Sequence, residues 1–166
     1  MAHADAIIIG TGVIGTAIAF EMAKLGWKTV SLDRNTQIGH GSTAGSCAVI
    51  RMHYSTFEGT AFAWEGYHYW RDWFDYLGLP SHSNIAKFKE CGCLVMRTEK
   101  NGHLEKHLAN SRYLNIPVEE WDSAKINAKL PIYSLDSYSP PKLRTDESFG
   151  VSNGKRIEGG VYWPNA

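Results

Sequence analysis

The chain has 166 residues with 43% apolar and 12% aromatic content, enough for one globular domain with a core and short for two, and it excludes a disordered segment. Seventeen Lys and Arg balance seventeen Asp and Glu, so no net field draws nucleic acid or an anionic membrane, and a small-molecule partner is expected by default. Three cysteines, Cys47, Cys91 and Cys93, form no disulfide framework and point to a reducing, cytoplasmic compartment. Asp5 stands where a secretion signal needs a positive charge, and no apolar run is long enough to span a membrane.

The chain opens with Ala6-Ile7-Ile8-Ile9, an apolar run bounded by glycine that reads as a buried parallel strand. Gly10-Thr11-Gly12-Val13-Ile14-Gly15 follows, then a helical pattern from about Val13 to Leu25 with Gly26 placed to end it. Thr29-Val30-Ser31-Leu32-Asp33 supplies the second strand of a β-α-β unit. The three glycines do different things. Gly10 permits the turn, Gly12 lets amides approach a pyrophosphate, and Gly15 allows close contact between helix and strand. Val13 and Ile14, at the tip of the helix, add unpaired N–H groups and a partial positive charge. Asp33 lies where an acid accepts the ribose hydroxyls of an adenine nucleotide, with Arg34 beside it. This much suits NAD and FAD alike.

Beyond Asp33 the next strand and crossover of a nicotinamide-type domain do not follow. Residues 34–46 form a polar, glycine-rich loop containing Gly39, His40, Gly41, Ser42, Thr43 and Gly45. Loops of this length in compact units tend to carry function, and these hydroxyls and amides suit a phosphate or a ring system as well as solvent.

Together, Gly10-x-Gly12-x-x-Gly15, Asp33, Gly41-Ser42-Thr43 and the run Ser46-Cys47-Ala48-Val49-Ile50-Arg51-Met52-His53-Tyr54 resemble the amino-terminal part of the FAD-dependent D-amino-acid oxidase superfamily, nearest to its sarcosine oxidase, glycine oxidase and dimethylglycine dehydrogenase branch. The resemblance is strong over residues 5–54 and thematic afterwards. It implies FAD as cofactor, held by the glycines and Asp33, and oxidation of a C–N bond of an amino acid or N-methylated amine by hydride transfer to the flavin. Arg51 matches the arginine that in sarcosine oxidase-like enzymes grips the substrate carboxylate, a role suited to a planar guanidinium; an ordinary ion pair is the competing reading. Ala48 stands where sarcosine oxidase has a second basic residue. Ala44-Gly45 stands where dimethylglycine dehydrogenase-like members carry the histidine that binds flavin covalently. The expected FAD is therefore noncovalent, with His40 a conceivable substitute, although a loop histidine is usually just solvated. If the run is extended, His53 shares a face with Arg51 and is placed to accept a proton or orient the amine; a structural histidine is the alternative.

Residues 57–77, crowded with aromatic side chains, read as one long helix ended by Gly78-Leu79-Pro80, its rings serving the core. Glu90 to Arg97 reads as a strand with Cys91, Cys93 and Val95 on one face, buried thiols rather than metal ligands. Gly102 to Asn115 is the next amphipathic helix, Val118 to Trp121 a short strand, and Ser123 to Leu130 a short helix capped by Ser123. Glu147 to Gly150 and Gly159 to Trp163 suggest strands about an Asn153-Gly154 hairpin turn. The expected organisation is an α/β fold: residues 1–56 a Rossmann-like FAD-binding βαβ unit with its flavin loop, 57–84 the aromatic helix and its connection, 85–166 part of an α+β substrate-binding module.

A doubly wound fold needs a third parallel strand, and none is evident after Asp33. The expectation is an incomplete fold that a second polypeptide completes, arising by cleavage or as a separate subunit, with a small amino acid or amine as substrate and no metal. A noncatalytic FAD-binding or assembly subunit and an NAD-dependent dehydrogenase are the competing functions.

Overall fold

A computed structural model describes residues 3–166. The chain divides into two compact units, one reaching to Val49 and the other spanning Ile50–Ala166. Two units form where length suggests one, and the first hardly has a core of its own: Ile8 and Thr11 are its only buried residues among those described.

In the first unit β1 (Ala6–Ile9) and β2 (Thr29–Leu32) pair in parallel, with Ile7 opposite Val30 and Ile9 opposite Leu32, and α1 (Val13–Lys24) connects them. Helix α1 ends as the sequence suggests, at Gly26, whose φ of 81° is cheap only for glycine. Ile8 faces α1 and is buried. Alternation sends Ile7, Ile9, Val30 and Leu32 to the opposite face, where they are 65%, 89%, 45% and 53% exposed. Among the described residues no third strand joins this sheet.

The second unit is built on a three-stranded antiparallel sheet in the order β3 (Cys93–Met96), β5 (Gly159–Trp163), β4 (Glu119–Asp122). Both faces of the central strand are covered. On one, Val161 and Trp163 pack with Met52, Tyr67 of α2 (Phe57–Arg71), and Leu104 and Leu108 of α4 (Leu104–Tyr113). On the other, Trp121 stacks on Tyr162 at 4.3 Å between ring centroids, above Ile126 of α5 (Ser123–Lys129) and Leu135. Close strand approach depends on Gly160, where a Cβ would crowd the carbonyl oxygen of Val95.

Several local expectations change. The aromatic helix is two helices, α2 and α3 (Trp73–Leu77), broken at Asp72. Asp72 leaves helical geometry and its carboxylate takes the Arg71 guanidinium at 2.7 Å, in keeping with the preference of aspartate for helix ends. The cap of α5 is Asp122 rather than Ser123; its carboxylate accepts the Lys125 amide at 2.7 Å. Residues 147–150 form no strand. Segment 135–137 pairs across to 155–157 instead, through Ser137 N–H to the Lys155 carbonyl and Ile157 N–H to the Leu135 carbonyl. Residues 50–56, expected from sequence in the nucleotide unit, lie in the second unit, and Met52 and His53 are buried there.

Trp163 is wholly buried and donates its indole N–H to Ser111 Oγ at 2.9 Å, itself buried. His53 stacks on the same indole at 4.2 Å, with His107 5.6 Å from it, and neither Nδ1 has a partner. Burial, then the charges of His107 and Arg51, pushes His53 down to about 4. Between about pH 6.5 and about pH 4 the unfolded chain therefore binds a proton that folded His53 refuses, so stability is fully present above that window and is lost as pH falls through it. Urea melts of wild type and His53→Phe across this range should show a wild-type decline that the variant flattens. Ser111→Ala, which strands the buried indole N–H, should cost about 1–3 kcal/mol in the same measurement.

Candidate functional site

The candidate cofactor site lies entirely within the first unit and begins with the turn after β1. Gly10 continues the strand pairing, donating its amide to the Leu32 carbonyl at 2.7 Å, and turns at a φ of 105°. A Cβ on Gly15 would overlap the Gly10 carbonyl oxygen, so only glycine lets the first turn of α1 sit against the strand end. Helix α1 starts at Gly12 with no acidic residue in its first turn. The Val13 amide is taken by Thr43 Oγ1 at 2.9 Å, while the Ile14 and Gly15 amides have no protein acceptor among the described residues.

The 34–46 loop folds back on this tip. Gly39 donates its amide to the Thr11 carbonyl at 3.0 Å, and Ala44 donates to the Gly39 carbonyl at 2.9 Å. Asp33, just past β2, is exposed on the groove wall. The Asn35 amide first, then the amide and hydroxyl of Thr11, hold its carboxyl down at about 2, so it is an anion at any physiological pH. Around these groups runs an open groove of about 850 Å³. Gly10, Gly12, Val13, Ile14, Gly15, Asp33, Arg34, Gly41, Ser42 and Thr43 all line it, as do the apolar side chains of Ile8, Ile9, Ile18 and Leu32. All ten residues named from sequence as cofactor contacts are thus brought together. Orphaned amides suited to phosphate, an anionic carboxylate suited to hydroxyls and a groove that Gly10, Gly12 and Gly15 line without side chains make a donor set that fits a dinucleotide.

Two contributors are not evident from sequence. Thr11 stands in the spacer between glycines, yet it bonds Asp33 twice. Asn35 stands in the polar loop, yet its amide takes the second carboxylate oxygen at 2.7 Å. For Asn35 a signal exists: an acid two residues before an amide favours an Asx-type turn.

Arg51 and His53 belong to the second unit. The segment is not a strand, and they do not share a face: Arg51 is exposed, whereas Met52 and His53 are consecutively buried. The chain enters it by a turn at Ser46, whose hydroxyl accepts the Ala48 amide, with Ala48 in the left-handed region at a φ of 54°. The Arg51 guanidinium lies 4.9 Å from the Tyr54 ring centre and has no carboxylate in ion-pairing range among the described residues. Cys47, Cys91 and Cys93 are free, and the described residues hold no cluster able to bind a metal. No helix among them is long and apolar enough to cross a membrane.

The fold resembles that of several flavoenzyme structures. L-proline dehydrogenase from P. horikoshii matches 98% of this chain and 37% of its own at a TM-score of 0.70 and 18% identity. Glycine oxidases from Geobacillus kaustophilus and Bacillus cereus match 98% of this chain and 39% of theirs, with TM-scores of 0.66 and 0.64 and identities of 19% and 18%. A curated relative, the tRNA 5-methylaminomethyl-2-thiouridine biosynthesis bifunctional protein MnmC of Legionella pneumophila, is 31% identical over 111 residues, 66% of this chain. The chain spans only 15% of that relative's length. The model of the FAD dependent oxidoreductase (DAO) family matches residues 5–166, and this chain belongs to that family.

Proposed function

We propose that this chain supplies the FAD-binding part of an oxidoreductase that oxidises the C–N bond of an amino acid or of an N-methylated or secondary amine. The observation that carries the substrate class is Arg51, a charged, solvent-facing guanidinium with no carboxylate of its own among the described residues. Such a group holds a substrate carboxylate through two parallel hydrogen bonds and so fixes the carbon that is to lose hydride. The Tyr54 ring beneath it limits the paths the side chain can take. His53, expected from sequence as a proton acceptor, is buried against Trp163 and stays uncharged down to about pH 4, so it is a poor base and in this reading only anchors the segment that carries Arg51. FAD, when bound, supplies the two-electron acceptor. The groove residues contribute binding and orientation: amides at the α1 tip for the pyrophosphate, Asp33 for the ribose, and the 34–46 loop over them. The names of the relatives, glycine oxidase, proline dehydrogenase and an enzyme of methylaminomethyl-uridine synthesis, all concern amines or amino acids, which supports the class without choosing a member. The family's cofactor sets the nicotinamide alternative aside.

A second reading, a noncatalytic FAD-binding or assembly subunit, draws support from the aliphatic face of Ile7, Ile9, Val30 and Leu32. An exposed face of this kind suits packing against further protein, and a second polypeptide seated on it is the partner this reading takes. Three free thiols are consistent with cytoplasmic residence.

Arg51→Ala, assayed in the protein as purified from its source with whatever accompanies it, separates the two readings. Turnover should fall at least about a hundredfold with the yellow flavin retained, and Arg51→Lys should recover only part of it; unchanged turnover favours the assembly role. Gly15→Ala, which drives a methyl group into the Gly10 carbonyl, should yield protein without visible flavin absorption. Flavin retained at wild-type level would remove the groove from consideration.

A further inference from the structure

Asp33 lines the groove of the proposed cofactor site, whereas Thr11 does not. Thr11 is nevertheless 9% exposed, in a unit that buries almost nothing. From between Gly10 and Gly12 it sends two donors to one oxygen: its amide reaches Asp33 Oδ2 at 2.7 Å and its hydroxyl reaches the same atom at 3.0 Å. The Asn35 amide holds Oδ1 at 2.7 Å. Any residue at position 11 would offer the amide, but only Ser or Thr there would offer a short hydroxyl as well. The torsion that turns a carboxylate is soft, and an exposed Asp samples it broadly. Three donors from two sides remove that freedom. With both lone pairs of Oδ2 engaged, Oδ1 keeps the remaining acceptor capacity of the carboxylate on the groove wall.

We propose that Thr11 is a positioning residue of the dinucleotide site, its hydroxyl locking the Asp33 carboxylate in the orientation that accepts a ribose hydroxyl of FAD. The inference rests on the FAD reading of the groove and adds to it a residue that does not line the groove. Its effect is preorganisation: the carboxylate is ordered before the ligand arrives, so binding does not have to order it.

The test is a double-mutant cycle read by FAD fluorescence quenching on apoprotein prepared from the natural assembly. Thr11→Val keeps the side-chain volume and deletes the donor; Thr11→Ala makes the same deletion without a branched side chain and serves if valine prevents folding. Either should weaken FAD about tenfold, the scale of one hydrogen bond to a charged group. Thr11→Ser should restore affinity to within about twofold. In an Asp33→Ala background, where there is nothing left to position, losing the hydroxyl should change affinity by less than about twofold. Wild-type affinity in both Thr11→Val and Thr11→Ala would overturn the proposal, as would an undiminished effect without Asp33, which would mean direct contact with the cofactor. A failed serine rescue would also overturn it. Wild-type apoprotein that takes up no FAD would instead strike the underlying reading of the groove.

Discussion

The close approach of Gly15 to the carbonyl of Gly10 is the constraint on which the first unit depends. It brings the opening turn of α1 against the end of β1, so that the amides of the helix tip and the carboxylate beyond β2 face one groove. A single methyl group at position 15 would push the helix away and separate the amides of the helix tip from the Asp33 carboxylate. Little hydrophobic burial supports this arrangement. It is held mainly by directed hydrogen bonds: Gly10 to Leu32, Thr11 and Asn35 to Asp33, Gly39 to Thr11, and Val13 to Thr43. A unit built this way is well suited to receive a charged ligand, because most of its fixed groups are dipoles and ions already aimed at one place.

The second unit follows the opposite rule. Trp163 fills the space between the sheet and helices α2 and α4, and its one polar atom is satisfied by Ser111. His53, packed on that indole, is kept neutral by the same burial that excludes water from the core. The next residue but one toward the amino terminus, Arg51, is exposed and charged. Two buried residues, Met52 and His53, thus root a short irregular segment whose arginine stands in solvent; rigid support of this kind is what a substrate clamp needs. At the edge of this core the Tyr67 hydroxyl donates to Glu90 at 2.5 Å and Asn165 donates to both, tying α2 to the segments that precede β3 and follow β5.

The nucleotide unit is legible in the sequence because its physics is local. Turn glycines, strand periodicity and an acid at a fixed remove follow one another within thirty residues, and every cofactor residue named from them lines the groove. Pairing at a distance is not legible in the same way. An Asn153-Gly154 turn suggests a hairpin of the two nearest strand-like runs, whereas residues 155–157 pair with 135–137 and Gly159–Trp163 joins β3 and β4, choices made by packing on Trp121 and Trp163. The break at Asp72 is hidden in the sequence because an apolar and aromatic pattern continues through it, masking one residue whose side chain prefers a helix end. Alternation is likewise the wrong ruler for Arg51 and His53, since a segment without ladder hydrogen bonds has no fixed two-residue period.

The hydroxyl of Thr43 occupies the first amide of α1, the place where an incoming anion would otherwise find its nearest donor. An anion seated there must use the next two amides or evict that hydroxyl. The order of the 34–46 loop and affinity at the helix tip are therefore linked quantities: the factor by which the ordered loop changes anion affinity is the factor by which a bound anion changes the loop's ordering equilibrium.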